Sequence, residues 1–223
     1  MIQQGLYMQN EWTRRDFSLG LVALYAAQLT MAQTANPPDE QALWQELRKG
    51  GYVLLIRHAD APGTFDPPGF HLGVCSTQRN LSEEGRAQSR RLGELIRSKN
   101  VPVDQVFSSE WCRCIDTATL AFGADSVQTW PAISSPRGGD EKQKLANLAA
   151  VRQRISRASL KTNMVLVTHM FNIQDITGGG AAQGEIVVLR AQDKPLRVVA
   201  RIATQIKATA CCALRTAPSS VAG

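Results

Sequence analysis

Two stretches of the chain are apolar almost without interruption, residues 52–56 (YVLLI) and 164–168 (MVLVT). A strand with one face in water alternates apolar and polar positions. Unbroken runs therefore predict strands covered on both faces, as in a parallel sheet. Elsewhere the period changes. Residues 39–49 start acidic, carry Leu43, Trp44 and Leu47, and end basic before Gly50 and Gly51, which predicts a short helix with a glycine stop. Residues 82–98 open with a capping Ser82 and two glutamates, and set Ala87, Leu92, Leu95 and Ile96 on one stripe, the pattern of an amphipathic helix. Strands are expected at 103–109, 127–130, 185–189 and 196–202, and helices at 110–122 and 141–157. Residues 62–77 are rich in Gly and Pro and read as a long loop, 134–140 as an irregular one, and Gly178-Gly179-Gly180 as a turn.

Strand and helix alternate through most of the chain. That order predicts an α/β fold, a three-layer sandwich around a mostly parallel central sheet. No internal repeat is present. The domain is expected over residues 36–203, opening at the linker Asn36-Pro37-Pro38, with a patternless tail over 204–223.

The length of 223 residues suits one domain with appendages, and 43% hydrophobic with 20% charged residues argues against wholesale disorder. Residues 1–35 form a distinct block. Arg14 and Arg15 precede an apolar stretch over 19–32, and Thr30-Met31-Ala32 offers a small-x-small cleavage site. This is the layout of a twin-arginine export signal, so the protein is expected in the periplasm, with no stable membrane insertion after cleavage. The net charge is +6, and the two arginines of the signal are balanced by Glu11 and Asp16, so the mature chain keeps it. Such an excess suits an anionic partner. Scattered charges, 6% aromatic residues and no stacking motif make nucleic acid the least favoured one. Export would expose five cysteines to oxidising conditions, and Cys75 is expected to pair with Cys112 or Cys114. The Cys-x-x-Cys spacing of structural zinc sites is absent.

Three segments end an expected strand with a polar cluster: Arg57-His58-Ala59-Asp60, Ser108-Ser109 leading to Arg113, and Thr168-His169. In open α/β sheets, catalytic groups gather beyond the carboxyl ends of the strands. These clusters bring two imidazoles and two guanidiniums to one edge. An arginine fork binds phosphoryl oxygens bidentately and keeps its charge. A neutral imidazole is a competent nucleophile.

These segments resemble the histidine phosphatase superfamily, also called phosphoglycerate-mutase-like. Arg57-His58-Ala59 resembles its Arg-His-Gly motif, and Asn80-Leu81-Ser82-Glu83-Glu84-Gly85-Arg86 its helix-opening segment. Ser108, Ser109, Arg113, Thr117 and Ala118 match a Ser-Ser-x-x-x-Arg-x-x-x-Thr-Ala motif, and Val167-Thr168-His169 a strand ending in a second histidine. The likeness runs over residues 52–189. Met170 stands where the acid-phosphatase branch has Asp, which implies branch 1.

The resemblance implies the roles. His58 attacks phosphorus and becomes phosphohistidine. Arg57, Arg113 and His169 hold the phosphoryl oxygens, with no cofactor or metal required. Arg79, Asn80 and Asn172 are candidate substrate-binding residues. A carboxylic acid is expected to protonate the leaving group; Asp140 is the first candidate, with Glu141 and Asp60 behind it. Ser108 and Ser109 read as a helix cap, and His71 as exposed in its loop. The expected partner is a phosphorylated small molecule or envelope component, such as a cell-envelope sugar phosphate. A relative that binds phosphorylated ligands without turnover is the alternative. Cysteine-based phosphatases are excluded because no cysteine has an arginine six positions on, and the Asp-x-Asp of magnesium-dependent phosphotransferases is missing.

Overall fold

The computed structural model describes residues 40–135 and 140–204. The expected export segment, Cys211, Cys212 and positions 205–223 of the expected tail lie outside these residues. The described elements run α1 (Glu40–Lys49), β1 (Tyr52–Arg57), α2 (Glu83–Ser98), β2 (Val103–Ser108), α3 (Cys112–Phe122), β3 (Val127–Thr129), α4 (Glu141–Ser156), β4 (Asn163–Thr168), α5 (Met170–Thr177), β5 (Ile186–Arg190) and β6 (Val198–Ile202).

The strands form one sheet in the order β3-β2-β4-β1-β5-β6. The first four are mutually parallel, while β5 runs antiparallel to β1, and β6 antiparallel to β5. The two unbroken apolar runs, β1 and β4, lie side by side in the middle, with Val53 opposite Met164 and Ile56 opposite Val167. Successive side chains of a strand point to opposite faces. Leu54 and Ile56 accordingly enter a core with α1, α2 and α3, through residues such as Leu47, Leu92 and Ala118. Val53 and Leu55 enter a second core with α4 and α5, through Val151, Ile155 and Ile173. Every position from Val53 to Ile56 is thus buried, and the fold is the three-layer sandwich that the pattern predicts.

Local chemistry closes the elements. Ser82 caps α2 by accepting from the Gly85 amide at 2.9 Å. Gly85 has a second role, because a Cβ there would overlap the carbonyl oxygen of Asp60. The glycine lets α2 pack against the turn after His58. Gly178, at φ 79°, ends α5 in the left-handed region and forms the turn expected at the triple glycine.

One boundary differs usefully from the pattern. The helix expected from Glu110 starts at Cys112, because hydrogen bonds still hold Ser109 and Glu110 along the sheet edge. The Ser109 amide donates to the Val167 carbonyl at 2.9 Å and the Glu110 amide to Ser134 Oγ at 3.0 Å. The chain therefore stays on the sheet edge for two residues before it coils. At the other end of the described residues, the Thr204 hydroxyl donates to the Gly184 carbonyl at 2.6 Å.

Candidate active site

Parallel strands end at the same edge, so β1, β2 and β4 deliver Arg57-His58, Ser108-Ser109 and Thr168-His169 together. The His58 amide donates to the Thr168 carbonyl at 3.0 Å, which continues the ladder one residue past each strand. The two imidazole centroids then lie 5.6 Å apart with their planes at 63°. Arg113 joins from the first turn of α3, and Arg79 from the loop before α2. These five side chains line one cavity of about 760 Å³.

His58 is buried, and its Nδ1 lies 2.8 Å from the Ala59 carbonyl oxygen. A carbonyl oxygen can only accept, so Nδ1 carries the proton and Nε2 keeps a free lone pair. Burial, the largest effect, pushes the imidazole down to about 3; the Ala59 bond opposes this, and Arg113, Arg79 and Arg57 add to the depression. The flanking arginines thus reinforce an effect that desolvation dominates. Thr117 explains its place in the sequence motif: its Oγ1 accepts from the Ala59 amide at 3.0 Å and donates to the Arg113 carbonyl at 2.7 Å. It ties the turn after His58 to the helix that carries Arg113. Among the described residues only Asn100 combines a side chain with positive φ, so Ala59 stands without strain where the motif has glycine.

His169 has both ring nitrogens engaged. Nδ1 faces Arg113 Nη2 at 3.5 Å, and Nε2 lies 2.7 Å from Ser109 Oγ. A guanidinium can only donate, so Nδ1 accepts and Nε2 donates to the serine. Burial first, then the charge of Arg113, lowers this imidazole well below its ordinary value. Ser109 is therefore the partner of the second histidine rather than a simple helix cap. The free thiol of Cys114 lies 3.5 Å from His169 Nε2, and burial pushes it up to about 12, so it stays protonated.

The arginines share a common deficit. Arg57 Nη1 donates to the Ala181 carbonyl at 2.7 Å, and Arg79 Nη1 to the Ala61 carbonyl at 2.5 Å. Yet Nε of Arg57, of Arg79 and of Arg113 is buried without a partner. Each buried donor left unpaired costs about 1–3 kcal/mol. Burial and mutual repulsion weaken the hold of Arg57 and Arg79 on their protons, the direction expected of crowded cations.

Sequence reasoning missed Asp66, which lies in the Gly/Pro loop outside any motif. Its carboxylate accepts from Arg113 Nη1 at 2.9 Å, from the Arg79 amide at 3.0 Å and from Trp111 Nε1 at 3.2 Å. Burial alone would raise this carboxyl. The Arg79 amide, the Arg113 charge and the Trp111 indole outweigh it and hold the group below the ordinary range. The loop that carries Asp66 is cross-linked to α3 by a disulfide between Cys75 and Cys112, one of the two pairings left open by the sequence.

Other candidates sit elsewhere. Asp140, expected as the proton donor, caps α4 by accepting from the Gln143 amide at 3.1 Å, and faces a separate cavity with Glu110 and Gln143. Glu141 is exposed on the first turn of that helix, and Asp60 is engaged by Ser82 Oγ at 2.6 Å. Asn80 donates to the Cys75 and Gln78 carbonyls, which shapes the loop; neither Asn80 nor Asn172 lines the His58 cavity. Asn172 donates to the Ile133 and Ser134 carbonyls and to Thr168 Oγ1, pinning the segment before α4 to the end of β4. His71 is exposed and outside the cavity. Among the described residues no group of three or more His, Cys, Asp or Glu is arranged to hold a metal ion, and no helix is long and apolar enough to cross a membrane.

Residues 53–134 match the model of the histidine phosphatase superfamily (branch 1). No curated protein matches the sequence. Among solved structures, the protein histidine phosphatase SixA complexed with tungstate aligns with a TM-score of 0.51 at 14% identity, over 69% of this chain and 97% of that one. A proposed alpha-ribazole-5'-P phosphatase from Escherichia coli aligns with a TM-score of 0.50 at 18% identity, over 66% and 94% of the two chains. At such identities the structural likeness speaks for the fold alone. The matched segment, together with the motifs that converge on the cavity, makes this part of the chain similar to the histidine phosphatase superfamily, branch 1.

Proposed function

We propose that this protein hydrolyses phosphate monoesters through a phosphohistidine intermediate on His58. The observation that carries the reading is the convergence of three guanidinium groups, Arg57, Arg79 and Arg113, on the cavity that holds the neutral imidazole of His58. A phosphoryl group in that cavity would give those guanidiniums an anionic partner and offset the repulsion among them. His58 Nε2 attacks phosphorus, the bond from phosphorus to the ester oxygen breaks, and the electron pair leaves on that oxygen. Arg57, Arg79 and Arg113 neutralise the charge of the transferring group. Water then attacks the phosphohistidine, the P–N bond breaks, and its pair returns to Nε2.

Export accompanies the reading. Arg14 and Arg15 support it, and the Cys75–Cys112 disulfide suits an oxidising compartment. A second reading, a relative that binds phosphorylated ligands without turnover, draws on the prior engagement of Arg113 by Asp66. Phosphate release from an aryl phosphate in the presence of chelator separates the two, together with acid quenching to trap an acid-labile phosphoenzyme. Turnover abolished by His58→Ala supports hydrolysis. Phosphate binding without a phosphoenzyme favours the binder.

A further inference from the structure

The chemistry of the cavity changes away from the arginines. Phe65, Phe70, Trp111, Met170 and Phe171 line the rest of it, against Thr64 and Ser135 as its only neutral hydroxyl side chains among the described residues. Phe65 is 85% exposed and Phe171 57% exposed, and they are the only aromatic residues among the exposed large hydrophobic side chains described. Leaving two aromatic rings in water is costly, and both stand at the rim of the one cavity that holds His58. Trp111 is itself anchored, edge-on to His169 with 5.3 Å between centroids and tilted against Phe70 at 6.1 Å. A sugar would need several hydrogen-bonding side chains at this wall, whereas an aromatic ring needs faces and edges to stack on.

A second feature bears on the leaving group. Asp66 is the only carboxyl group among the described residues that lines the cavity, and it is already shared by Arg113, the Arg79 amide and Trp111. The Nδ1 proton of His58 is held by Ala59, and the Nε2 proton of His169 by Ser109. No group in the described site is placed to protonate a departing alkoxide. A phenolic oxygen has a pKa of about 10, roughly six below that of water, and leaves as the anion without help.

We propose that the substrates are aryl phosphate esters, with the phosphoryl group on the arginines and the aromatic leaving group between Phe65, Phe171 and Trp111. The proposal rests on His58 as the phosphoryl acceptor. It adds that the P–O bond to a phenolic oxygen breaks with the electron pair leaving on the phenolate, so no acid is consumed in the step.

The test compares 2-naphthyl phosphate with glycerol phosphate for the parent protein and for the double variant Phe65→Ala with Phe171→Ala. Both rings are exposed, so the fold survives their removal. The parent should prefer the naphthyl ester, and the ratio of the two kcat/KM values should fall about tenfold in the variant, mostly through KM. An unchanged ratio, or a parent that prefers glycerol phosphate, overturns the proposal. Binding of naphthylphosphonate against methylphosphonate, neither hydrolysable, decides the ligand class independently of turnover. Tighter binding of the naphthyl compound that is lost in the variant keeps the class even if His58 proves not to be phosphorylated. Equal binding of the two rejects it.

Discussion

Asp66 and Arg113 form an ion pair at 2.9 Å inside the cavity, with the carboxylate side chain 12% exposed and the guanidinium 5%. One of the three cavity arginines is therefore partnered before any anion arrives. The carboxylate fixes the direction of that guanidinium and also repels a second anion, two effects that pull binding and catalysis apart.

Replacing Asp66 by Asn separates them. Loss of the like charge should tighten inhibition by inorganic phosphate about threefold to tenfold, while the less constrained Arg113 lowers kcat about tenfold. Steady-state kinetics with phosphate as inhibitor read both. A variant with weaker phosphate inhibition would show that Asp66 acts only as scaffold. The depressed carboxyl also stabilises the fold above the ordinary carboxylate pKa, and that contribution is lost as pH falls through the folded value.

The buried histidines set a second pH dependence. His58 is lowered to about 3 in the folded protein, against about 6.5 when unfolded, and His169 is shifted in the same direction. Between those values the unfolded chain binds more protons, so stability is fully present above pH 6.5 and declines on acidification. Urea unfolding at pH 7.5 and pH 5 should show the loss, and His58→Ala should reduce it. Imidazole NMR signals of His58 and His169 should not titrate between pH 5 and 8; midpoints near 6.5 would contradict the burial argument.

The disulfide links residues 37 apart and ties the loop of Asp66 to the start of α3, three positions after Ser109. Its removal through Cys75→Ser with Cys112→Ser should cost about 4 kcal/mol of stability by the loop-entropy estimate. Because Asp66, Arg79 and Arg113 all flank this link, kcat should fall more than stability alone requires. Activity measured well below the unfolding midpoint of the variant tests this. Full activity there would mean that the link serves the fold only.

Asp140 supplies a negative control. As the cap of α4 it should lose about 1 kcal/mol of stability on Asp140→Ala. Its kcat on an aryl phosphate should stay within about twofold of the parent, because it lines a different cavity. A large loss of kcat with unchanged KM would restore it as the proton donor.

What the linear pattern carried was local. Unbroken apolarity at residues 52–56 and 164–168 marked the central pair of parallel strands, since burial on both faces leaves no room for alternation. The polar residues after those strands, with Arg113, marked the edge where chemistry collects, because strands of one direction end together. Ser82 and the triple glycine announced a helix start and a turn through short-range hydrogen bonding and backbone freedom alone.

The tertiary structure decided whatever depends on distance through space. Asp140, Glu141, Asp60, Asn80 and Asn172 were equivalent by composition to working residues, and folding turned them to caps, exposed faces and loop carbonyls. Asp66 carried no signal, because its partner lies 47 positions away and a loop aspartate has no periodicity to reveal it. The tautomer of His58 follows from a carbonyl that only the folded turn presents, and the aromatic wall draws Phe65, Trp111 and Phe171 from three separate segments. Sequence periodicity records which face a residue shows to the core. It holds no record of which distant side chain meets that residue once the faces have packed, and that meeting sets charge, proton placement and the shape of the cavity.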